Sequence, residues 1–405
     1  MKKIIHKGTA LDLIQTAHME SHIPIVYCHM VLDTAIDVSR LKQAVGYTAE
    51  IVPQILCRYN KIKNAWVPAK YDSNSVVKIV SEKKRYEGLV WDLCTGPQLK
   101  INIYHQDAGD SLQIGMSHIL SDGAGLKLYL ALLCKFYNKQ DSQAASEVNS
   151  RSVIPLLFHT AVQRLPHISK RIDKGNIPAV LPAEQDNGFL QSLKVTLSEE
   201  QFKMIQTKVK NLQVTMNDVF MASYTYALKP FIIQDEIILS CPADLRKFRT
   251  PDGKLTIANM TGKYLCRISL AKDDGLREIA LAVHQEMERQ KLHYDCFHFI
   301  LLLQILHAIL PANLLRLITN PFYSAPPTSY TNVGTIDEKK IFFQGMSIKE
   351  CYLCGTYRQA PSFQVSISTY KNVCTLAANM CGTKKQKITG LQLLNRMKSA
   401  LLCRL

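Results

Sequence analysis

Residues 112–125 read LQIGMSHILSDGAG and carry the pattern H-x-x-x-D-G at His118, Asp122 and Gly123. Apolar side chains occupy every second position from 112 to 116, and His118 continues this alternation. A β-strand has a period of two, so the pattern predicts a strand over 112–118 with the imidazole on the buried side. The apolar run that follows predicts a buried helix over 123–137. The stretch therefore places a histidine, suited to proton transfer near neutral pH, at a strand-to-helix junction.

The chain has 405 residues, about twice what one hydrophobic core usually organises, so we expect two domains. Residues 174–188 combine Gly, Pro, Asn, Asp and Glu with little periodicity, which is typical of a linker. We expect an N-terminal domain over 1–178 that carries the H-x-x-x-D-G pattern, a linker over 179–192, and a C-terminal domain over 193–405. Both halves mix helices with mostly antiparallel-type strands, which predicts an α/β fold of the α+β type.

Periodicity places further elements along the chain. We expect helices over 9–18, 39–48, 215–228 and 385–402, and strands over 24–32, 99–104, 194–197, 236–241, 341–348, 352–357, 363–370 and 373–378. The most hydrophobic stretch, 297–310, falls short of the roughly 20 residues that cross a bilayer. We expect it to form a buried or tunnel-lining helix, with a membrane-surface segment as the alternative, and we expect no spanning segment.

The chain is strongly basic, with a formal net charge of +16 at pH 7. This excess is compatible with acidic partners such as nucleic acid, an anionic membrane or a phosphate-bearing small molecule. No signature of a nucleic-acid-binding module accompanies it, so we expect no nucleic-acid partner. The simplest interpretation of the charge is a generally basic solvated surface, and among functional interpretations we favour a phosphate-bearing thioester carrier.

The twelve cysteines lack the spacing of a disulfide framework, and no long apolar stretch follows the basic start of the chain. We therefore expect reduced thiols and a cytoplasmic protein without a signal peptide. Cys351 and Cys354 form a single C-x-x-C, but no second pair lies at zinc-site spacing. The residues between them, Tyr352 and Leu353, are typical of a strand, so we expect no metal site.

Four ordered segments resemble the chloramphenicol-acetyltransferase-like superfamily, which includes peptide-synthetase condensation domains, alcohol O-acyltransferases and polyketide-associated acyltransferases. They are the H-x-x-x-D-G stretch, VTMNDVFMA at 214–222, PADLR at 242–246 and SYTNVG at 329–334. In the second segment, Thr215 is also a suitable helix N-cap with Asp218 in the first turn, which favours a structural role. The resemblance spans about residues 10 to 370.

Two departures refine this resemblance. Ser117 takes the place of the first of two adjacent histidines that are usual in peptide-synthetase condensation domains. The D-F-G-W-G element of the plant acyltransferases is absent. Both differences favour a stand-alone acyltransferase that resembles alcohol O-acetyltransferases and polyketide-associated acyltransferases.

The resemblance implies two similar domains packed in a V, with an active-site tunnel between them. It also implies acyl transfer from a thioester to a hydroxyl or amine, with His118 as general base and no covalent acyl-enzyme. Gly123 would leave room for substrate in the tunnel. An inward carboxylate is costly unless paired, so we expect Asp122 to form a structural ion pair with Arg246. The donor to the oxyanion or substrate would come from one of three residues: Ser329, Thr331 or Asn332.

The expected enzyme is thus an acyltransferase that transfers groups other than amino-acyl groups. Acyl-CoA or an acyl carrier protein would supply the acyl-pantetheine co-substrate, a small alcohol or amine would accept the acyl group, and no cofactor would be bound permanently. A lipid-like substrate is one option. The alternatives are a condensation-type amide synthase that uses an aminoacyl carrier protein, and a catalytically silent carrier-binding scaffold.

Overall fold

The computed structural model describes residues 5–17, 19, 23–81, 86, 88–139, 147–154, 156, 179–184, 188–232, 235–249, 252–297, 300–319 and 327–405. These residues form a mixed α/β fold with two large hydrophobic cores, each beside its own five-stranded sheet. The first core lies mainly in the N-terminal half of the chain and the second mainly in the C-terminal half. The prediction of an α/β chain with two lobes is therefore confirmed.

The described residues form strands of two to ten residues and helices of four to twenty residues. The strands are β1 (His6–Lys7), β2 (Ile25–Leu32), β3 (Cys57–Asn60), β4 (Ala65–Pro68), β5 (Val77–Ile79), β6 (Leu99–Gln106), β7 (Gly109–Ser117), β8 (Phe189–Leu197), β9 (Glu236–Asp244), β10 (Thr261–Ser269), β11 (Thr328–Thr335), β12 (Ile348–Cys354), β13 (Arg358–Gln359), β14 (Phe363–Tyr370) and β15 (Val373–Gly382). The helices are α1 (Ala10–Ile14), α2 (Val38–Ile51), α3 (Ser73–Val76), α4 (Gly123–Lys139), α5 (Glu199–Asn211), α6 (Met216–Leu228), α7 (Leu276–Leu292), α8 (Ile300–Ile309), α9 (Ala312–Thr319) and α10 (Lys384–Cys403).

The sheet of the first lobe has the strand order β12-β2-β7-β6-β5. The central strand β7 pairs antiparallel with both neighbours, and all residues from 111 to 117 are buried. The strand ends at Ser117 because the N–H groups of Leu120 and Ser121 both donate to the Ser117 carbonyl and close a turn. His118 therefore lies in this turn and not, as had been predicted, in the strand. The turn, and not the alternation of the strand, sets the position of its ring.

The second lobe has the strand order β11-β14-β15-β13, with β8 paired to β15. A separate antiparallel pair, β9 and β10, joins Glu236 to Ser269 and Asp244 to Thr261. Helices α5, α6, α7 and α10 contribute apolar side chains to the core of this lobe. The PADLR segment lies at the end of β9, so this strand pair carries Arg246 toward the first lobe.

Two elements lie in the lobe opposite to their half of the chain. The predicted domain boundaries did not include this exchange. Strand β12 comes from the C-terminal half but pairs with β2 of the first sheet. Helix α1 comes from the N-terminal half but packs its buried side chains into the second core. Strand β8 begins at Phe189, inside the stretch expected to be a linker. Local alternation cannot reveal such crossings, because it predicts a strand and not the partner of that strand.

Most predicted elements are present within a few residues of their expected bounds, and β14 has the bounds that were predicted. The prediction of a strand over 341–348 is wrong, because β12 begins only at Ile348 and residues 341–347 lie outside any strand; Ile341 and Phe343 are buried two positions apart there and so imitate a strand. Cys351 and Cys354 lie in β12, which confirms the predicted strand at Tyr352 and Leu353.

The helix predicted within 297–310, buried or lining a tunnel, is present, but it is not fully buried. Helix α8 forms there, with residues 298–299 outside the described part, but Leu302, Ile305 and Ile309 are more than half exposed. A helix that is apolar on all sides usually indicates burial, and only the packing shows that one side of α8 is uncovered. In the described residues, no helix alone has the length and apolar character to cross a membrane, although α7 and Asp295–Ile309 pass that test as a pair bent by 65°.

Candidate active site

His118 lies in the turn between β7 and α4, close to residues of both lobes. Its backbone N–H donates to the carbonyl of Pro24 at 2.7 Å, which attaches the turn to the start of β2. The neighbouring residues Ser117, Ile119 and Leu120 are completely buried, whereas His118 keeps part of its surface exposed. His118 is thus held in a hydrogen-bonded turn, and the residue as a whole is only partly buried.

Asn259 fixes the orientation of the His118 ring from the segment just before β10. Its Nδ2 donates to the carbonyls of His118 and Ile119, both at 2.8 Å, and to Oδ1 of Asp12 at 3.1 Å. These three acceptors identify the nitrogen end of the amide, so Oδ1 is the atom that faces Nδ1 of His118, at 3.3 Å. Nδ1 therefore carries the hydrogen, and the lone pair lies on Nε2.

Burial lowers the pKa of His118, because the charged imidazolium would lose hydration in this turn. The carboxylate of Asp122 and the hydrogen bond that Nδ1–H of His118 donates to Asn259 act in the opposite direction, but the pKa still lies below the usual value for histidine. The ring is therefore neutral at pH 7. A neutral imidazole with a free lone pair on Nε2 is a proton acceptor.

The carboxylate of Asp122 accepts five hydrogen bonds. The two terminal nitrogens of Arg246 donate at 2.9 and 3.1 Å, which forms the ion pair that the sequence predicted. The other donors are the N–H groups of Gly125 and Met260 and the hydroxyl of Thr261, at 2.7 to 2.8 Å. Burial alone would raise the pKa of Asp122, but the charge of Arg246 and these hydrogen bonds hold it below its usual value. Asp122 is thus an ionised contact between the start of α4 and the second lobe.

Arg246 also binds the segment of chain that precedes β10. Its guanidinium also donates to the carbonyls of Thr256 and Ala258. Gly125 packs directly against it, since a Cβ at Gly125 would lie 3.1 Å from an Arg246 nitrogen and would overlap the hydroxyl of Ser121. The absence of a side chain at this position lets α4 begin against the guanidinium.

Strand β11 brings the SYTNVG segment against the start of α4. A Cβ at Gly123 would lie 3.2 Å from the side chain of Val333, and Nζ of Lys127 donates to the carbonyl of Val333 at 2.6 Å. Gly123 therefore permits close packing of α4 on β11. The role predicted for Gly123, to leave room for substrate in the tunnel, stays a prediction.

The three residues predicted as oxyanion or substrate contacts have different environments. Asn332 is already bound, since its Nδ2 donates to Asn217 at 3.2 Å and its Oδ1 accepts from the N–H of Gly334 at 2.9 Å. Ser329 is buried, and its hydroxyl has no hydrogen-bond partner within the described ranges. Thr331 is partly buried. All three lie on β11, but the structure brings none of them into a hydrogen bond with His118 among the residues it describes.

Thr215 and Asp218 form a capping box at the start of α6. The N–H of Thr215 donates to Asp218 at 2.9 Å, and the N–H of Asp218 donates to the Thr215 hydroxyl at 3.2 Å. Asp218 also contacts Nδ1 of His284 at 2.8 Å. The structural role predicted for this segment is therefore confirmed.

No family model matches the chain. A curated relative, surfactin synthase subunit 1 of Bacillus subtilis (strain 168), is 20% identical over 217 residues. This alignment covers 48% of the chain but 6% of the synthase, so the chain spans a small part of that protein's length.

Solved structures match over nearly the whole chain. The trichothecene 15-O-acetyltransferase of Fusarium sporotrichioides aligns with a TM-score of 0.70 at 13% identity, over 100% of this chain and 96% of that one. Polyketide synthase associated protein 5 of Mycobacterium tuberculosis aligns with a TM-score of 0.68 at 14% identity, over 98% of both chains. The first condensation domain of the CDA synthetase aligns with a TM-score of 0.65 at 10% identity, over 99% and 97%. The chain has the chloramphenicol-acetyltransferase-like fold.

Within this chloramphenicol-acetyltransferase-like fold, the sequence patterns missed three residues that support the histidine turn: Asn259, Asp12 and Arg151. Asp12 accepts from Asn259 and, at 2.8 Å, from Arg151. Arg151 also donates to the carbonyl of Leu120 at 2.7 Å, inside the His118 turn. Asp12 and Asn259 are 247 positions apart and stand outside the four motif segments, so no sequence signal joins them.

A cavity of about 670 Å³ lies between α6 and α10, where Tyr226, Leu393 and Arg396 line it. It shares no lining residue with the His118 site, so the tunnel implied by the family resemblance stays a prediction. Over the described ranges, His, Cys, Asp and Glu side chains do not gather in any group of three or more that could hold a metal ion.

Proposed function

We propose that this protein is an acyltransferase that moves an acyl group from a thioester to a hydroxyl or amine, with His118 as the general base. The observation that carries the proposal is a neutral imidazole whose Nδ1 is fixed by Asn259 and whose Nε2 is left as the proton acceptor. The fold shared with an acetyltransferase and a condensation domain supports the class of reaction.

In the proposed reaction, Nε2 of His118 removes the acceptor's proton as its oxygen or nitrogen attacks the thioester carbonyl. The tetrahedral intermediate collapses when the carbon–sulfur bond breaks, and the imidazolium returns the proton to the departing thiolate. The products are an ester or amide and a free thiol. No acyl group is attached to the protein at any point.

The carbonyl oxygen becomes negative during the attack, and one hydrogen-bond donor at that position is worth a factor of about 100 to 1000 in rate. Ser329 and Thr331 on β11 are our candidates for the donor. The hydroxyl of Ser329 is buried and unpaired in the described part of the chain, which supports a role for it. Asn332 suits the role less well, because its amide is bound to Asn217.

Asp122 has a structural role in this proposal. Its two oxygens already accept five hydrogen bonds, so it is poorly placed to relay a proton. A cysteine nucleophile is not required either. Burial raises the pKa of Cys241, the thiol beside Asn217, to about 11, so this thiol stays protonated at pH 7.

The co-substrate in this proposal is acyl-CoA or an acyl carrier protein. Coenzyme A carries phosphates and carrier proteins are acidic, so the net charge of +16 favours the approach of either. Similarity to a condensation domain favours one further candidate, an amide synthase that accepts an aminoacyl group from a carrier protein.

The test is an assay of the purified protein with acyl-CoAs and loaded carrier proteins, each combined with simple alcohols and amines. His118→Ala should lower kcat by about 100- to 10,000-fold, because it removes the base, and should leave the melting curve unchanged. His105→Ala removes an imidazole exposed at the end of β6 and serves as the control with full activity.

Near-full activity of His118→Ala would eliminate the proposed mechanism. Turnover with aminoacyl carrier protein alone would select the amide synthase. Carrier binding without turnover of any donor would select the scaffold instead of an enzyme.

A further inference from the structure

Helices α8 and α9 expose a set of large apolar side chains. On each helix the exposed residues follow helical spacing and so share a face: Leu302, Ile305 and Ile309 on α8, and Leu314, Leu317 and Ile318 on α9. Ile309 and Leu317 are 71% and 70% exposed. The opposite faces are anchored, since Leu303 and Leu315 are completely buried in the second core.

The turn between β3 and β4 lies beside both helices. Arg316 of α9 donates to the carbonyl of Lys61 at 2.5 Å, and Nδ2 of Asn64 contacts Nε2 of His307 on α8 at 3.2 Å. Ile62, at the tip of this turn, is 72% exposed. We call Ile62 and the exposed residues of α8 and α9 the apolar surface. Large apolar side chains exposed on neighbouring elements are typical of interaction sites.

The two chain segments that carry the apolar surface contain charged side chains of one sign. Residues 300–319 contain Arg316 and no Asp or Glu. Residues 58–70 contain four basic side chains and no acidic one: Arg58, Lys61, Lys63 and Lys70. A second copy of the chain would present the same positive charge, which disfavours self-association through this surface. An anionic bilayer offers hydrocarbon to the apolar side chains and phosphates to the lysines.

We propose that the apolar surface docks on an anionic lipid bilayer. The side chains of α8, α9 and Ile62 enter the headgroup region, and Lys61 and Lys63 contact lipid phosphates. This binding goes beyond acyl transfer and does not depend on it, because the surface is distinct from the residues that hold His118.

The test is co-sedimentation of the full chain with vesicles made of equal parts of phosphatidylcholine and phosphatidylglycerol, and with vesicles of phosphatidylcholine alone. We expect binding to the anionic vesicles that falls as salt is added. Replacing Lys61 and Lys63 together by Gln should weaken this binding about fivefold per lysine. Ile305→Gln should lower the partition coefficient about tenfold, because it removes an apolar side chain that enters the bilayer.

Ile388→Gln is the matched control, because Ile305 and Ile388 are both isoleucines on helices and both are 57% exposed. It should leave binding within about twofold of the unsubstituted protein. Absence of binding to anionic vesicles, or an equal loss in Ile305→Gln and Ile388→Gln, would overturn the proposal. A dimer in vesicle-free solution that Ile305→Gln dissociates would also overturn it, since the occupant would then be a second copy. Melting curves of all variants report whether they are folded.

Discussion

Substituting Asp122 by Asn tests the ion pair that connects the two lobes. The side chains of Asp122 and Arg246 are 5% and 12% exposed, and the change removes one of the two carboxylates that pair with this buried guanidinium, leaving Asp244 at 2.9 Å. In the asparagine one of the two carboxylate oxygens becomes an NH2 group. Its N–H then faces N–H donors that the oxygen used to accept from, such as those of Gly125 and Arg246 at Oδ1 or Met260 at Oδ2. Breaking a buried pair from one side costs about 3–5 kcal/mol. Because Asp244 still pairs with Arg246, we expect the free energy of unfolding to fall by about 3 kcal/mol, the lower end of this range, in chemical denaturation followed by circular dichroism.

Arg246→Met and the double variant complete a thermodynamic cycle with Asp122→Asn. In Arg246→Met the carboxylate keeps three donors, from Gly125, Met260 and Thr261, but it loses the compensating charge. The double variant removes both charges, so its cost should be smaller than the sum of the single costs by about 1–3 kcal/mol. Additive costs would refute the view that this pair acts as one unit between the lobes.

Three further predictions follow from the same region. The pKa of Asp122 is lowered in the folded state, so the stability that this carboxylate contributes is complete above about pH 3.9 and is lost as the pH falls through the folded-state pKa. In acid unfolding, the stability of the unsubstituted protein should therefore fall more steeply with pH than that of Asp122→Asn. Asn259→Ala removes a hydrogen bond that raises the pKa of His118, so kcat should fall and the acid limb of kcat/KM should move to lower pH, a shift that a purely structural role would not give. Gly125→Ala should destabilise the protein by about 1–3 kcal/mol in thermal melts because of overpacking, whereas Gly46→Ala on α2, with no atom near the added methyl group, should leave it unchanged or stabilise it.

Local patterns predicted most of the fold. Alternation and helical spacing depend on neighbours within a few residues, so they located β14, α4 and α10 close to their observed bounds. They failed where a local pattern has two explanations. Residues buried two positions apart imitate a strand at 341–348, and an apolar helix can be covered or uncovered, as α8 shows. The pairing of β12 with the first sheet could not be predicted either, because alternation indicates that a segment is a strand but not which strand it pairs with.

The sequence by itself determined the junction around His118, the cap at Thr215, and the order of segments that resemble one superfamily. These depend on the identity and spacing of residues that are close together in the chain. Only the tertiary structure decided that Asn259 holds the imidazole across 141 positions, and that α8 leaves one apolar face uncovered. Hydrogen bonds and burial of this kind arise from how the two lobes pack, and packing brings together groups whose separation along the chain carries no signal.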